Sequence, residues 1–290
     1  MITPISSLTK LRLPGCSNLE DDDSKDPVFH VSTPHSLTQA AGYLKYIFGP
    51  GKEQIFLRGQ SRIWASLSPT LVRNIKSQRA QSDRITALRN ACSEITKSNS
   101  IFDGVPFEAQ EALLQHYGLK TSWLDLVDNV WVALWFACHT AHTAGPLGQF
   151  IHFEKRDPHS DTNPFAYILL VAADMIPADP FVPGYFRGAK TELVDLRVSA
   201  PSVFLRPHAQ HGVLFRLKGG ASRREVDYAS QVKGVIRIAL RDALSWLGDG
   251  KFTGTHSLFP PAYYDKGYDL LLNCNFKGSR MVGAIQYVGT

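Results

Sequence analysis

The sequence predicts an α+β domain with a mixed or antiparallel central sheet flanked by helices. β-rich apolar stretches (149–154, 166–174, 213–217, 232–240) and stretches with apolar residues every three or four positions are both plentiful, without regular βαβ alternation. Neither G-x-G-x-x-G nor G-x-x-x-x-G-K-[ST] occurs, which argues against a doubly wound nucleotide fold. No internal repeat and no Gly- or Ser-rich linker divides the chain, so 28–290 reads as one domain after an N-terminal arm, 1–27. With 290 residues, 44% of them hydrophobic, a sizeable core is available.

The arm contains Pro4, Pro14, Gly15 and the acidic run Glu20-Asp21-Asp22-Asp23 with few large apolar residues, so it is expected to be loose. A helix is predicted over about 37–48, capped by Ser36, with Leu37, Ala40, Ala41, Leu44 and Ile47 inward and a stop at Gly49-Pro50-Gly51. Residues 54–57 read as a short strand delivering Arg58 and Gly59 at its end. Arginine can grip carboxylate or phosphate in a planar pair, or form a structural ion pair; glycine permits a turn or a close approach. A charged helix follows over 75–98 with Ile85, Leu88, Cys92 and Ile95 inward, then a second over about 106–117. Its last turn carries Gln115, His116 and Tyr117 before Gly118; a histidine there also reads as a favourable charge at a helix C-terminus.

The stretch 115–137, QHYGLKTSWLDLVDNVWVALWFA, is the best candidate for a site. From Val127 onward, Val130, Ala133, Leu134 and Ala137 mark one helix face, and Trp131, Trp135 and Phe136 widen it until most of the helix must be buried. Its entry carries His116, Tyr117, Thr121, Ser122 and Asp125, at a helix start where free N–H groups and the dipole favour an anion. Asp125 has a second reading, as the N-cap of that helix or as a partner to Arg58 or Arg206. The histidines of HTAH, 139–142, are expected on a helix facing solvent.

Beyond it, 149–154 and 166–174 are predicted core strands and 176–188, rich in proline, a loop or lid. Arg206, His208, Gln210, His211 and Gly212 lead into a strand at 213–217, and another is predicted at 232–240. A short helix from RDALSWLGDG, a final one within 257–274 and an edge strand in the tail complete the chain.

The net charge of +5 is spread without a dense block, so charge alone makes no nucleic-acid claim. Cys16, Cys92, Cys138 and Cys274 form no C-x-x-C pair, which predicts reduced thiols and neither a zinc site nor a disulfide framework. No apolar run is long enough to span a membrane and the first residues lack a signal-peptide core, so a cytoplasmic protein without membrane association is expected.

Four stretches, in order, carry a family resemblance: FLRGQ with W…L.PTLVR (56–73), QHYGLKTSWLDLVDNVWVALWFA (115–137), LRPHAQHGVLF (205–215) and SLFPPAYYDKGYDLL (257–271). Together they resemble the FRG domain, a mainly bacterial and phage family named for a Phe-Arg-Gly signature, over about 30–272. This chain has Leu57 before Arg58-Gly59, Ser122 after Thr121, Leu126 in place of tryptophan, and Pro261-Ala262 after the late LFP.

A more remote likeness is to ADP-ribosyltransferases, and it implies a transferase-like fold acting on NAD. Arg58-Gly59, then Thr121-Ser122 with Ala133…Phe136-Ala137, then the Gln210–Leu214 strand follow that family's order. The likeness implies that Arg58, Gly59, Gln60, Tyr117, Thr121, Ser122 and Arg206 hold NAD, with Tyr117 and Trp123 stacking on nicotinamide. Gly212 stands where the catalytic glutamate would be, leaving Asp125 as the candidate carboxylate with His116, His211 and Gln210 beside it. Gln210 reads equally as a buried amide satisfying backbone groups.

Two functions follow. One is a divergent NAD-using transferase or glycohydrolase, a toxin or defence effector with a protein or nucleic-acid acceptor and no metal. The other is a non-catalytic module that binds a nucleotide or nucleic acid. A hydrolase ranks last, because G-x-S-x-G, H-E-x-x-H and a Cys/His pair at ligand spacing are all missing from the sequence.

Overall fold

The computed structural model describes residues 16–19, 28–48, 51, 53–219, 226–248 and 253–289. In chain order the elements are β1 (Cys16–Leu19), β2 (Val28–Val31), α1 (Pro34–Phe48), β3 (Glu53–Gln60), α2 (Gln78–Lys97), α3 (Phe107–His116), β4 (Leu124–Val127) and α4 (Val130–Cys138). Next come β5 (His139–Ala144), β6 (Phe150–Lys155), β7 (Phe165–Asp174), β8 (Tyr185–Arg187), β9 (Thr191–Asp195), α5 (Leu196–Ser199), α6 (Leu205–Ala209) and β10 (Gly212–Leu217). The chain ends with β11 (Val232–Ala239), α7 (Leu240–Leu247), α8 (Thr255–Leu258), α9 (Lys266–Leu272) and β12 (Tyr287–Val288). The expected acidic run at 20–23 and the Gly49-Pro50 stop lie outside the described residues.

The large sheet has the order β1-β2-β11-β7-β3-β4-β10-β9-β8. Every neighbouring pair is antiparallel except β11 with β2. This is the predicted α+β class, a mostly antiparallel sheet with helices on both faces. The two faces are built by alternation. Ile55 and Leu57 of β3 join Ile168, Leu170 and Ala172 of β7 in one core with α1, α4 and α7. Phe56 joins Leu169, Val171 and Ala173 in the other core, with α2 and α3. Burying both sides of β3 and β7 requires continuous apolar runs, and each large side chain so buried contributes about 1.5–3 kcal/mol.

Several local expectations are corrected. Thr33, not Ser36, caps α1: the Thr33 hydroxyl accepts from Ser36 N at 3.1 Å, while the Ser36 hydroxyl, inside the first turn, accepts from Thr33 N. The strand through Arg58-Gly59 does not end there but continues to Gln60. Residues 124–127 form a strand, not a helix entry, and α4 begins only at Val130, where the Asn129 side chain accepts from Trp131 N and Val132 N. Asp125 is therefore no N-cap. Position 139 begins a strand, so His139 and His142 are not on a helix; His139 stacks on Trp135 at 4.1 Å. Strand β6 is not a core strand of the main sheet. It pairs with β5 and β12 in a second, three-stranded sheet and is largely exposed. The 176–188 loop includes the edge strand β8.

One buried ion has no signature in the local sequence. Arg156, 4% exposed, bonds Asp161 and the carbonyls of Ala137, Asn163 and Phe165, tying the end of α4 to the start of β7. No helix among the described residues is long and apolar enough to cross a membrane.

Candidate functional site

Strands β3 and β4 share one ladder pair, Leu57 with Val127, and separate beyond it. A cleft of about 230 Å³ lies at this separation. Residues 57–59 and 125–127 form one wall, and Phe136, Phe153 and Phe259 form an aromatic wall from α4, β6 and the end of α8. His116, Arg206 and Gln210 also reach it. The single shared pair is the local reason a cleft exists inside an otherwise continuous sheet.

Arg58 spans the gap. Its Nη1 donates to the Asp125 carbonyl at 2.6 Å, across the gap beyond the last ladder pair. With its amide oxygen turned toward Arg58, Gln60 accepts from Arg58 Nε at 3.1 Å and donates to Arg62 O at 3.2 Å. Gln60 thus braces the guanidinium without lining the cleft. Desolvation lowers the Arg58 pKa, the Asp125 carboxylate opposes that shift, and the nearby Arg73 adds to it. The guanidinium nevertheless stays charged near neutral pH. Gly59 borders the cleft for a packing reason. A Cβ there would lie 1.8 Å from the Ala133 carbonyl oxygen, because α4 crosses β3 backbone to backbone.

His116 ends α3 with its side chain 3% exposed; neither ring nitrogen has a well-aligned partner, and the Gln210 side chain lies near enough to raise its pKa slightly. Burial pushes its pKa down to about 4; Asp125, whose Oδ1 lies 4.0 Å from Nε2, pulls it upward, and Arg206 adds to the lowering. The ring is neutral at pH 7. It also explains Gly212: a Cβ at that position would lie 2.4 Å from His116 Cε1. The volume a longer residue 212 would occupy is filled by imidazole. Gly212→Ala is expected to destabilise the chain by about 1–3 kcal/mol. In combination with His116→Ala, the alanine at 212 should cost far less, a coupling measurable by urea unfolding of the two single variants and the double. Additive losses would show that the two positions do not compete for space.

Arg206, on α6, is 2% exposed. Its guanidinium lies 4.6 Å from the Tyr117 ring, 4.5 Å from Tyr268 and 5.4 Å from Phe259, and Nη1 donates to His116 O at 2.6 Å. Gln210 donates to Leu258 O at 2.8 Å, so part of its role is to satisfy a buried carbonyl. The positive φ of 52° at His211 turns the chain from α6 into β10, and His211 does not line the cleft.

The structure brings Arg58, Gly59, His116, Asp125, Arg206 and Gln210 together and leaves Tyr117, Thr121 and Ser122 behind that wall. Tyr117 is fully buried and donates to Asp265 Oδ2 at 2.8 Å, and its pKa is pushed well up by burial and by Asp265. Thr121 donates to Gln115 and accepts from Trp123 N. Ser122 bonds Glu111 on the side of α3 away from the cleft, and Trp123 packs against Arg216 at 4.1 Å. Neither Tyr117 nor Trp123 presents a face to the cleft. The aromatic wall of Phe153 and Phe259, stacked at 4.4 Å, has no local signature, because it forms only when β6 and the end of α8 both pack against Trp135 of α4.

Among the described residues no group of three or more His, Cys, Asp or Glu side chains could hold a metal ion. Burial raises the thiols of Cys92 and Cys138 to about 12, so neither is a nucleophile at neutral pH. No curated protein matches this chain, and no solved structure does. The sequence model of the FRG domain family does match, over residues 53–145, and this stretch supplies Arg58, His116 and Asp125 of the cleft.

Proposed function

We propose that the chain binds a nucleotide-like anionic small molecule in this cleft. The observation that carries the reading is the convergence of two arginines, Arg58 from β3 and Arg206 from α6, in one partly aromatic recess. Arginine is suited to phosphate, and phenylalanine faces suit a base or nicotinamide ring. A cleft of about 230 Å³ is smaller than the roughly 300–1,000 Å³ of sites that enclose a drug-sized ligand, so it would take one end of a dinucleotide such as NAD.

A second reading, NAD cleavage by a divergent transferase or glycohydrolase, is favoured by one further feature. Asp125 brings a carboxylate to the same cleft, 4.0 Å from a neutral His116. Asp125 would oppose developing positive charge on the ribose, and the imidazole would accept a proton. The protein or nucleic-acid acceptor and the role as toxin or defence effector belong to this reading alone.

The test is nicotinamide release from NAD by wild type, Arg58→Ala and Asp125→Ala, with NAD binding followed by calorimetry. Arg58→Ala should weaken binding about tenfold or more, the loss of one charge-assisted contact. Asp125→Ala should retain binding and lose release if the chain is an enzyme. Binding without release in wild type leaves the module, and absence of both removes NAD as the ligand.

A further inference from the structure

The cleft contains unsatisfied polar groups of one particular geometry. Arg206 Nε and Nη2 are buried and have no hydrogen-bond partner, while Nη1 is committed to the His116 carbonyl. The nearest buried carboxylate, Asp265, accepts from the backbone N–H of Arg206 at 3.1 Å, from the Tyr117 hydroxyl and from Tyr268 N. No carboxylate lies within ion-pair distance of the Arg206 guanidinium among the described residues. A buried cation left with two free donors is unfavourable, and native chains rarely keep one without a reason.

The free edge is the one arginine uses for bidentate grips. In this same chain Arg197 holds Asp195 through that edge, Nε to Oδ1 at 2.9 Å and Nη2 to Oδ2 at 2.7 Å. Tyr117 and Tyr268, their rings 5.6 Å apart, pack side by side against the Arg206 guanidinium. His116, beside it, is neutral at pH 7, and the Gln210 amide is the one side chain among the described residues near enough to bond its ring, so it retains capacity for a ligand hydrogen bond.

We infer that Arg206 is the oxyanion receptor of the cleft: its Nε/Nη2 edge takes two oxygens of a phosphate or carboxylate on the ligand, and His116 bonds an adjoining hydroxyl or amide. The inference rests on the binding reading above and narrows it to ligands whose anionic group reaches the inner end of the cleft. Arg58, half-buried and bonded to Asp125 O, then contacts the outer part.

The direct measurement is arginine-selective 15N NMR of the whole chain, following the buried Arg206 Nε–H resonance during titration. Inorganic phosphate and AMP form one arm, acetate and nicotinate the other, and adenosine is the uncharged control. The Arg206 resonance should shift in a saturable manner in at least one anionic arm and not with adenosine, and the arm that does so identifies the oxyanion. Arg206→Lys assigns the peak. Lysine keeps the charge without the fork, so it should bind the effective anion about tenfold or more weakly. Should Arg206→Lys not fold, assignment through backbone connectivity in wild type leaves the titration intact. An Arg206 resonance unmoved by every anion would overturn the inference, even if NAD still bound through Arg58. A shift with phosphate or AMP but no NAD binding would keep the receptor and discard NAD.

Discussion

Gly59→Ala is expected to destabilise the protein by about 3 kcal/mol or more, or to prevent folding at 37 °C. The added Cβ would sit 1.8 Å from Ala133 O and 2.8 Å from Ala137 N, both backbone atoms of α4. Rotamer changes cannot relieve a backbone contact. The helix would have to move away from β3, and the packing of Ala133 and Ala137, both fully buried, would move with it. Urea unfolding followed by tryptophan fluorescence reads the loss, since Trp135 lies on α4. An unfolding free energy within about 0.5 kcal/mol of wild type would mean that α4 does not cross at Gly59 as described. The same substitution tests why glycine follows Arg58: it is needed for helix-to-strand contact, before any ligand is considered.

Stability should fall by roughly 3 kcal/mol as the pH is lowered from about 6.5 to 4, through His116 alone. In the folded chain this histidine has its pKa pushed down to about 4 by burial, against 6.5 when unfolded. Between those values the unfolded state binds the proton and the folded state does not, so acid favours unfolding. The contribution is fully present above about 6.5, declines through the interval and is exhausted below about 4. Carboxylates add their own acid dependence, so the informative quantity is the difference from His116→Asn. That variant removes the titrating group while retaining hydrogen-bonding atoms. Its unfolding free energy should vary less with pH between 4 and 6.5 than that of wild type. Parallel pH profiles would mean that His116 titrates normally in the folded state. Ligand binding adds a further check, because a ligand that bonds neutral His116 should lose affinity only near pH 4.

Much of the architecture was legible as pattern. Continuous apolar runs marked β7 and β11, and intervals of three and four marked α1, α2 and α3, because burial repeats with the geometry of each element. The boundary between β4 and α4 differs from the helix entry that the pattern predicts. LDLVDNVWVAL is apolar enough to suit either element, and the decision lay with Asn129, whose side chain caps the helix, and with β10, which pairs with 124–127. His139–Ala144 likewise became a strand because β6 was available to pair with it, a partner that local propensity does not contain.

The α+β class, the resemblance to the FRG domain and the short set of polar residues from which a site could be made are all legible in the linear chain. Those properties reside in local periodicity and in motifs. Which polar residues share a cleft depends on how distant elements pack. Tyr117, Thr121 and Ser122 all lie close before Asp125 in the chain, Thr121 and Ser122 nearest, yet face the core or the opposite side of α3. Arg58 and Arg206, far apart in the chain, meet because β3 and β4 part after one pair and α6 comes to lie against the end of α3. The space at Gly212 is filled by His116, a contact between elements separated by almost a hundred residues. Direction within a strand or turn depends on register, and register is settled by partners distant in sequence.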